Sequence, residues 1–195
     1  MVGVIVLNGE RYNGSIEGDF IIATDGGYDK ISTHCDLVVG DMDSITRKIE
    51  NVPYIKLDRD KDLTDGEFAV NLLVEKGADT IIFYGVNGGR LDHILANIGL
   101  MSRALKKGIR VICECNDFTG YMINDSLDIP IQKNLTLSLA PFTDSVHIIS
   151  MIGVKWELEN TTIYKDSSLT ISNVTTSDRF SLKVDRGEVF VIINK

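Results

Sequence analysis

Residues 80–108 read TIIFYGVNGGRLDHILANIGLMSRALKKG, and their pattern decides the fold class. Thr80–Tyr84 is a short run rich in Ile and aromatic residues, as in a strand buried on both faces. A glycine-containing turn follows, and then Leu91, Ile94, Leu95, Ile98, Met101 and Leu105 recur at helical spacing. Lys106, Lys107 and Gly108 close the helix, with the cations placed favourably for its dipole. A strand feeding a helix through a Gly-rich turn is the repeating unit of an α/β domain.

Working outward, further short apolar runs occur at 2–7, 20–24, 37–39, 54–56 and 109–114. Between them, Thr64-Asp65-Gly66-Glu67 forms a capping box, with Thr64 at N-cap and Glu67 at N3. Phe68, Leu72 and Leu73 follow as an apolar face, and Lys76-Gly77 is a stop signal. The first 120 residues therefore read as an α/β domain with a mostly parallel sheet. After Asp117 the helical period disappears. Short alternating runs at 135–139, 145–150, 169–171, 179–184 and 188–193 are separated by turn signals at Glu159-Asn160, Lys165-Asp166 and Asp185-Arg186-Gly187. Residues 126–195 read as a small all-β sandwich, with the boundary falling within 117–127.

Composition narrows the function. Acidic residues number 28 against 20 basic ones, a formal charge of −8 that argues against a nucleic-acid surface. No apolar run reaches the length of a membrane helix. The opening MVGVIVLNGE lacks a basic flank and a cleavage site, so it reads as a buried strand and not a leader. Cys35, Cys113 and Cys115 are too few for a disulfide framework, which fits core thiols in a reducing cytoplasm. An acidic protein that handles a phosphorylated ligand needs cations to screen its own carboxylates.

Four clusters follow apolar runs or open helices, where open α/β sheets place their sites. Asp25-Gly26-Gly27 suits close backbone approach to a ligand, or a tight turn capped by Asp25. In Gly40-Asp41-Met42-Asp43-Ser44, alternation in an extended segment would bring Asp41 and Asp43 to one side. Close carboxylates favour a divalent cation such as Mg²⁺, the bland alternative being a solvated turn. The run 58–65 is either an exposed mixed-charge loop or a third acidic contributor through Asp65. In Asn87-Gly88-Gly89-Arg90-Leu91-Asp92-His93, two glycines, a guanidinium and a helix start suit an anion. Asp92 either pairs with Arg90 or binds metal, and His93 is either a local hydrogen-bonding group or catalytic. His34 and His147 have no evident catalytic partners. There is no Walker P-loop, no G-x-S-x-G elbow and no full dinucleotide fingerprint.

The strings TDGGYDKI, VVGDMDSI, DKDLTDGE, GVNGGRLDHILANI and SSLTISN, in this order, resemble the thiamine pyrophosphokinase (thiamine diphosphokinase) family. The resemblance runs from about residue 21 to 173. It implies a kinase-type transferase that moves the pyrophosphoryl group of ATP to the hydroxyl of thiamine, giving thiamine diphosphate and AMP. It also implies that residues 1–120 bind nucleotide and Mg²⁺, and that 126–195 bind thiamine and dimerise. Asp41, Asp43 and Asp65 would organise Mg²⁺, with Asp25 in the same acidic site. Asp43, Asp65, Arg90 and Asp92 would be catalytic, and Asp43 or Asp65 would take the alcohol proton. Gly26, Gly27, Thr64, Gly89 and Arg90 would contact the substrates. Thr170, Ser172 and Asn173 would meet thiamine at a homodimer interface. Lys61 and Phe68 depart from the family pattern (Gln in some members, Lys in many), which bears on substrate contacts but spares the acidic core. Trp156 reads as β-domain packing. Two rival readings share these loops: a metal-dependent phosphohydrolase or nucleotidyltransferase, and a nucleotide- or vitamin-binding regulatory module without turnover.

Overall fold

The structure, a computed structural model, describes residues 1–32, 34–58 and 63–195. The chain divides into two compact units, Met1–Asn116 and Asp117–Lys195. The middle of the expected acidic run, Arg59 to Asp62 and with it the Lys61 departure, lies outside the described residues.

Among the described residues the first unit carries six strands: β1 (Val2–Val6), β2 (Phe20–Thr24), β3 (Leu37–Gly40), β4 (Tyr54–Lys56), β5 (Thr80–Tyr84) and β6 (Arg110–Glu114). They lie in the order β6-β5-β1-β2-β3-β4, and every pairing is parallel. Val4, Ile5, Ile22, Ala23, Val38, Val39, Ile81 and Phe83 are fully buried, which explains the continuous apolar runs: both faces of the central strands are covered. Strand β4 is the edge, and its side chains are exposed or half-buried. From β1 the chain builds outward through β2, β3 and β4 on one side and through β5 and β6 on the other. The strand order therefore reverses at β1, and a crevice opens beyond the carboxyl ends of β1 and its neighbours.

Two α-helices belong to the described residues of this unit. Helix α1 (Asp65–Glu75) starts with the expected reciprocal cap: Glu67 N–H donates to Thr64 Oγ1 at 3.2 Å, and Thr64 N–H donates to Glu67 Oε2 at 3.1 Å. Gly77, at φ +82, follows its end. Helix α2 (Leu91–Lys106) buries Leu100, Met101, Ala104 and Leu105. Its first turns depart from the sequence expectation, because Leu91 and Leu95 are exposed. This half of the helix runs along the crevice, where Ala96, Asn97 and Gly99 form wall and not core.

The second unit is all antiparallel. It comprises β7 (Phe118–Ile123), β8 (Ser126–Pro130), β9 (Thr136–Pro141), β10 (Ser145–Ile152), β11 (Leu158–Tyr164), β12 (Asn173–Val174), β13 (Arg179–Arg186) and β14 (Val189–Asn194). Pairing order is β12-β9-β14-β7 in one layer and β11-β10-β13-β8 in the other. Leu137, Leu139 and Val191 from the first layer share one core with Val146, Ile148, Phe180 and Leu182 from the second. Two sequence expectations fail here. The run 169–171 is a turn, not a strand. Glu159-Asn160 lies inside β11 and not between strands: Asn160 has φ +45, a local distortion that the flanking pairs with β10 hold in register.

Candidate active site

Loops from the carboxyl ends of β1, β2 and β5, with the starts of both helices, enclose a cleft of about 840 Å³. Among the residues predicted for the site, Asp25, Thr64, Asp65, Gly89, Arg90 and Asp92 border it. So do residues the sequence reading passed over: Asn8 and Gly9 at the end of β1, Ser44, Asn97 and Arg103. For Asn8-Gly9 a signal existed, since a glycine directly after a buried strand marks the same kind of turn as the other clusters. Arg103 carried no such signal, being one charged residue on an amphipathic helix.

Asp25, Asp41 and Asp43 each offer a carboxylate oxygen, and these oxygens lie within 4.8 Å of one another. Local backbone explains the grouping. Asp25 sits at φ +43 and opens a 3-10 helix, Asp25–Lys30. Gly26 and Gly27 are buried in that turn because the neighbouring strand comes too close for a side chain. A Cβ on Gly27 would lie 2.1 Å from the Val6 carbonyl oxygen, and one on Gly26 would lie 2.5 Å from the Asn8 side chain. Asp41 and Asp43 share a side for a different reason from the one expected. The segment is bent and not extended: Met42 takes φ +69, and Asp43 N–H donates to Asp41 Oδ1 at 3.2 Å.

Asp65 stands beside this group and not within it. Its Oδ2 lies 3.1 Å from the point where a Cβ on Gly40 would be, and the Asp25 Cβ is 2.9 Å from the same point. The absent side chain at Gly40 is thus what lets the start of α1 approach Asp25. Three converging carboxylates repel one another unless a cation intervenes, and an all-oxygen donor set suits a hard divalent ion. Asp41 and Asp43 also border a second hollow with Lys56, Leu57 and Asp58. Asp25 therefore belongs both to the acidic group and to the main cleft.

The cations of the cleft are held by carboxylates. Arg90, the N-cap of α2, donates to Asp92 through Nε (3.1 Å) and Nη2 (2.5 Å). This bidentate bond raises the Arg90 guanidinium above its ordinary value and lowers the Asp92 carboxyl. Asp92 is thus ion-paired with Arg90. Arg103 Nη1 pairs with Glu67 Oε1 at 3.0 Å, so Glu67 serves both the helix cap and this bridge. Gly88 and Gly89 adopt φ +88 and +77 ahead of α2. His93 is exposed at the cleft. The other two histidines have partners after all: His34 meets Asp36 at 2.7 Å, and His147 lies between Asp185 (2.6 Å) and Asn160 (3.0 Å).

In the second unit, Thr170 is buried and donates to the Leu139 carbonyl at 2.8 Å. Ser172 is exposed at φ +63, and its N–H donates to Ser138 Oγ at 3.0 Å. The Asn173 side chain is buried and committed to backbone. It accepts from Trp156 N–H at 3.1 Å and Val174 N–H at 2.9 Å, and donates to the Trp156 carbonyl at 2.8 Å. Trp156 itself is 56% exposed, so it is not the packing residue expected from sequence. Lys155 Nζ lies 4.6 Å from its ring centroid. Leu169 and Ile171 are also exposed.

Comparison with known proteins assigns both units. Residues 16–113 match the family description "Thiamin pyrophosphokinase, catalytic domain", and residues 126–189 match "Thiamin pyrophosphokinase, vitamin B1 binding domain". The chain is 32% identical over 161 residues to the thiamine pyrophosphokinase of Bacillus subtilis, covering 78% of this chain and 75% of that protein. The crystal structure of thiamine pyrophosphokinase from B. subtilis superposes with a TM-score of 0.88 at 25% identity, covering 100% of this chain and 99% of that one. The thiamin pyrophosphokinase of Candida albicans shares the fold at 13% identity, with a TM-score of 0.80 over 99% of this chain and 89% of that one. The order of the clusters, the two-unit architecture and these matches agree: the chain belongs to the thiamine pyrophosphokinase family.

Proposed function

We propose that the chain transfers the pyrophosphoryl group of ATP to the hydroxyl of thiamine, with Mg²⁺ held by Asp25, Asp41 and Asp43. One observation carries the reading: three carboxylates from the ends of two neighbouring strands, β2 and β3, converge beside a cleft that also holds Arg90 and Arg103. In the reaction the thiamine hydroxyl oxygen forms a bond to the β-phosphorus, the bond from that phosphorus to the AMP oxygen breaks, and the hydroxyl proton leaves. Mg²⁺ bound at these aspartates would screen the triphosphate charge. Arg90 and Arg103 supply fixed positive charge to the phosphates, each being handed over from its own carboxylate when an anion enters. Asp65 borders the cleft whereas Asp43 does not, so Asp65 is the group we assign to receive the hydroxyl proton. Thiamine is a cation, and an acidic cleft attracts it.

The direct test is incubation with ATP, Mg²⁺ and thiamine, followed by mass detection. Thiamine diphosphate and AMP should appear together and in equal amounts. ATP breakdown that is indifferent to thiamine would favour a phosphohydrolase, and binding without turnover would favour a regulatory module.

The thiamine pocket, in this reading, is completed by a second copy of the chain. Trp156, Leu169 and Ile171 are apolar and exposed; Thr170 lies between the last two in sequence, and Ser172 and Asn173 follow directly. Asn173 then acts by holding the Trp156 backbone in place. The expected result in sedimentation is a dimer at assay concentration, and a fully active monomer would refute the shared pocket. The three cysteines are buried and form no disulfide, in keeping with work in a reducing cytoplasm.

A further inference from the structure

The segment 41–52, which carries Asp41 and Asp43, contains no helix or strand. No ladder of backbone bonds therefore fixes the two carboxylates. Met42, Ile45 and Ile49 pack against the core of the first unit, but apolar packing sets direction only loosely. Asp25 Oδ1 accepts from Ser44 N–H at 3.4 Å, and a second side chain supplies the shorter directional bonds. Asp29 Oδ2 accepts from both the N–H and the hydroxyl of Thr46, each at 2.7 Å, and Asp29 Oδ1 accepts from Arg47 N–H at 3.2 Å. Arg47 completes the clasp. Its Nε lies 3.8 Å from Asp29 Oδ1, its Nη2 donates to the Tyr28 carbonyl, and its guanidinium carbon sits 3.8 Å from the Tyr28 ring centroid.

Asp29 belongs to the same 3-10 helix, Asp25–Lys30, that presents Asp25. That helix thus supplies one carboxylate directly and grips the loop that supplies the other two. We infer that Asp29 is a positioning residue for the cation site: by clasping Thr46 and Arg47 it sets the distance of Asp41 and Asp43 from Asp25. The inference rests on the proposed reading that these three aspartates hold a divalent cation. Burial acts to raise the Asp29 carboxyl, but the hydrogen bonds from Thr46 and Arg47 outweigh it and hold the group below the usual carboxylate range. The carboxylate is thus the form the loop needs. In an Asn side chain, one of the two acceptors becomes an amide donor facing other donors.

The test is Mn²⁺ titration of the ATP-free protein, followed by electron paramagnetic resonance, with melting curves recorded in EDTA. Residues that orient metal ligands commonly change affinity by 10- to 100-fold, so Asp29→Asn should weaken Mn²⁺ binding by about 10-fold. Turnover of this variant should recover at saturating Mg²⁺, because no group that touches substrate is altered. A purely structural role would lower the melting temperature and leave Mn²⁺ affinity of the folded protein untouched, which would overturn the inference. Should Asp29→Asn not fold, Thr46→Val decides. It keeps the N–H bond and loses the hydroxyl bond, so affinity should fall by about threefold. Thr46→Ser should restore wild-type affinity, and an unchanged affinity in Thr46→Val overturns the clasp. Failure of the wild-type protein to bind Mn²⁺ would instead strike at the cation site itself, and the clasp would fall with it.

Discussion

Asp43→Asn should lower turnover by at least about 100-fold while the protein stays folded, because charge stabilisation centred on a metal is worth several kcal/mol. The separation of the two effects follows from where Asp43 sits. Its side chain is exposed, and Ser44 Oγ donates to it at 3.0 Å within the same bend. Asparagine has nearly the same shape, so the bend survives. What disappears is one negative charge from a set of three whose oxygens lie within 4.8 Å. The reading requires that loss to appear as weaker metal binding, with more Mg²⁺ needed for half-maximal rate, and slower transfer, with circular dichroism and the melting curve unchanged. Steady-state rates across a Mg²⁺ series, set beside a melt of the same preparation, make the comparison. Near-normal turnover in a folded Asp43→Asn protein would remove the acidic group from the mechanism.

Gly27→Ala should be strongly destabilising. The added methyl would stand 2.1 Å from the Val6 carbonyl oxygen and 2.9 Å from its carbon. Neither atom can step aside, because both belong to the backbone at the end of the central strand β1. Forcing them apart displaces β1 or the turn that presents Asp25. Overpacking against atoms able to yield costs about 1–3 kcal/mol, and here the cost should be about 3 kcal/mol or more. A domain of ordinary stability, about 5–15 kcal/mol, would lose a large part of its margin. Gly77→Ala is the matched control. Nothing lies within 4 Å of a Cβ there, and only its φ of +82 resists a side chain. Its cost should be about 1–2 kcal/mol, the ordinary charge for a left-handed L-residue. Urea unfolding of the two variants should show the ordering. Equal midpoints would mean that the turn after β2 is softer than its geometry implies.

Much of this molecule can be read without coordinates, for reasons specific to particular residues. The capping box at Thr64–Glu67 is a local device, and local devices survive into the fold unchanged. The buried strands announce themselves because both faces of a parallel sheet are covered, leaving runs such as Val4, Ile5 and Val6 with no polar interruption. Harder to read is anything that depends on what lies opposite. The exposure of Leu91 and Leu95 depends on what packs around the first turns of α2, which periodicity cannot register. Trp156 is exposed although Asn173 pins its backbone from 17 residues away. Asp25 joins Asp41 and Asp43 through two left-handed residues, Asp25 and Met42, in a geometry that residue types other than glycine rarely adopt and that spacing alone does not reveal. The role of Asp29 carries no local signal, because its partners lie 17 and 18 residues further along.

The reversal of strand order at β1 has a consequence for how the protein matures. Val2 pairs with Thr80 and Gly3 with Phe20, so the first strand cannot finish its neighbours until more than 80 residues have been made. The cleft draws on chain ends as distant as Asn8 and Arg103. Closing such remote contacts is slow relative to forming either helix. On the proposed reading, nucleotide capture becomes available only when this half of the polypeptide has assembled throughout, and a fluorescent ATP analogue added during refolding would serve as a clock for the last step.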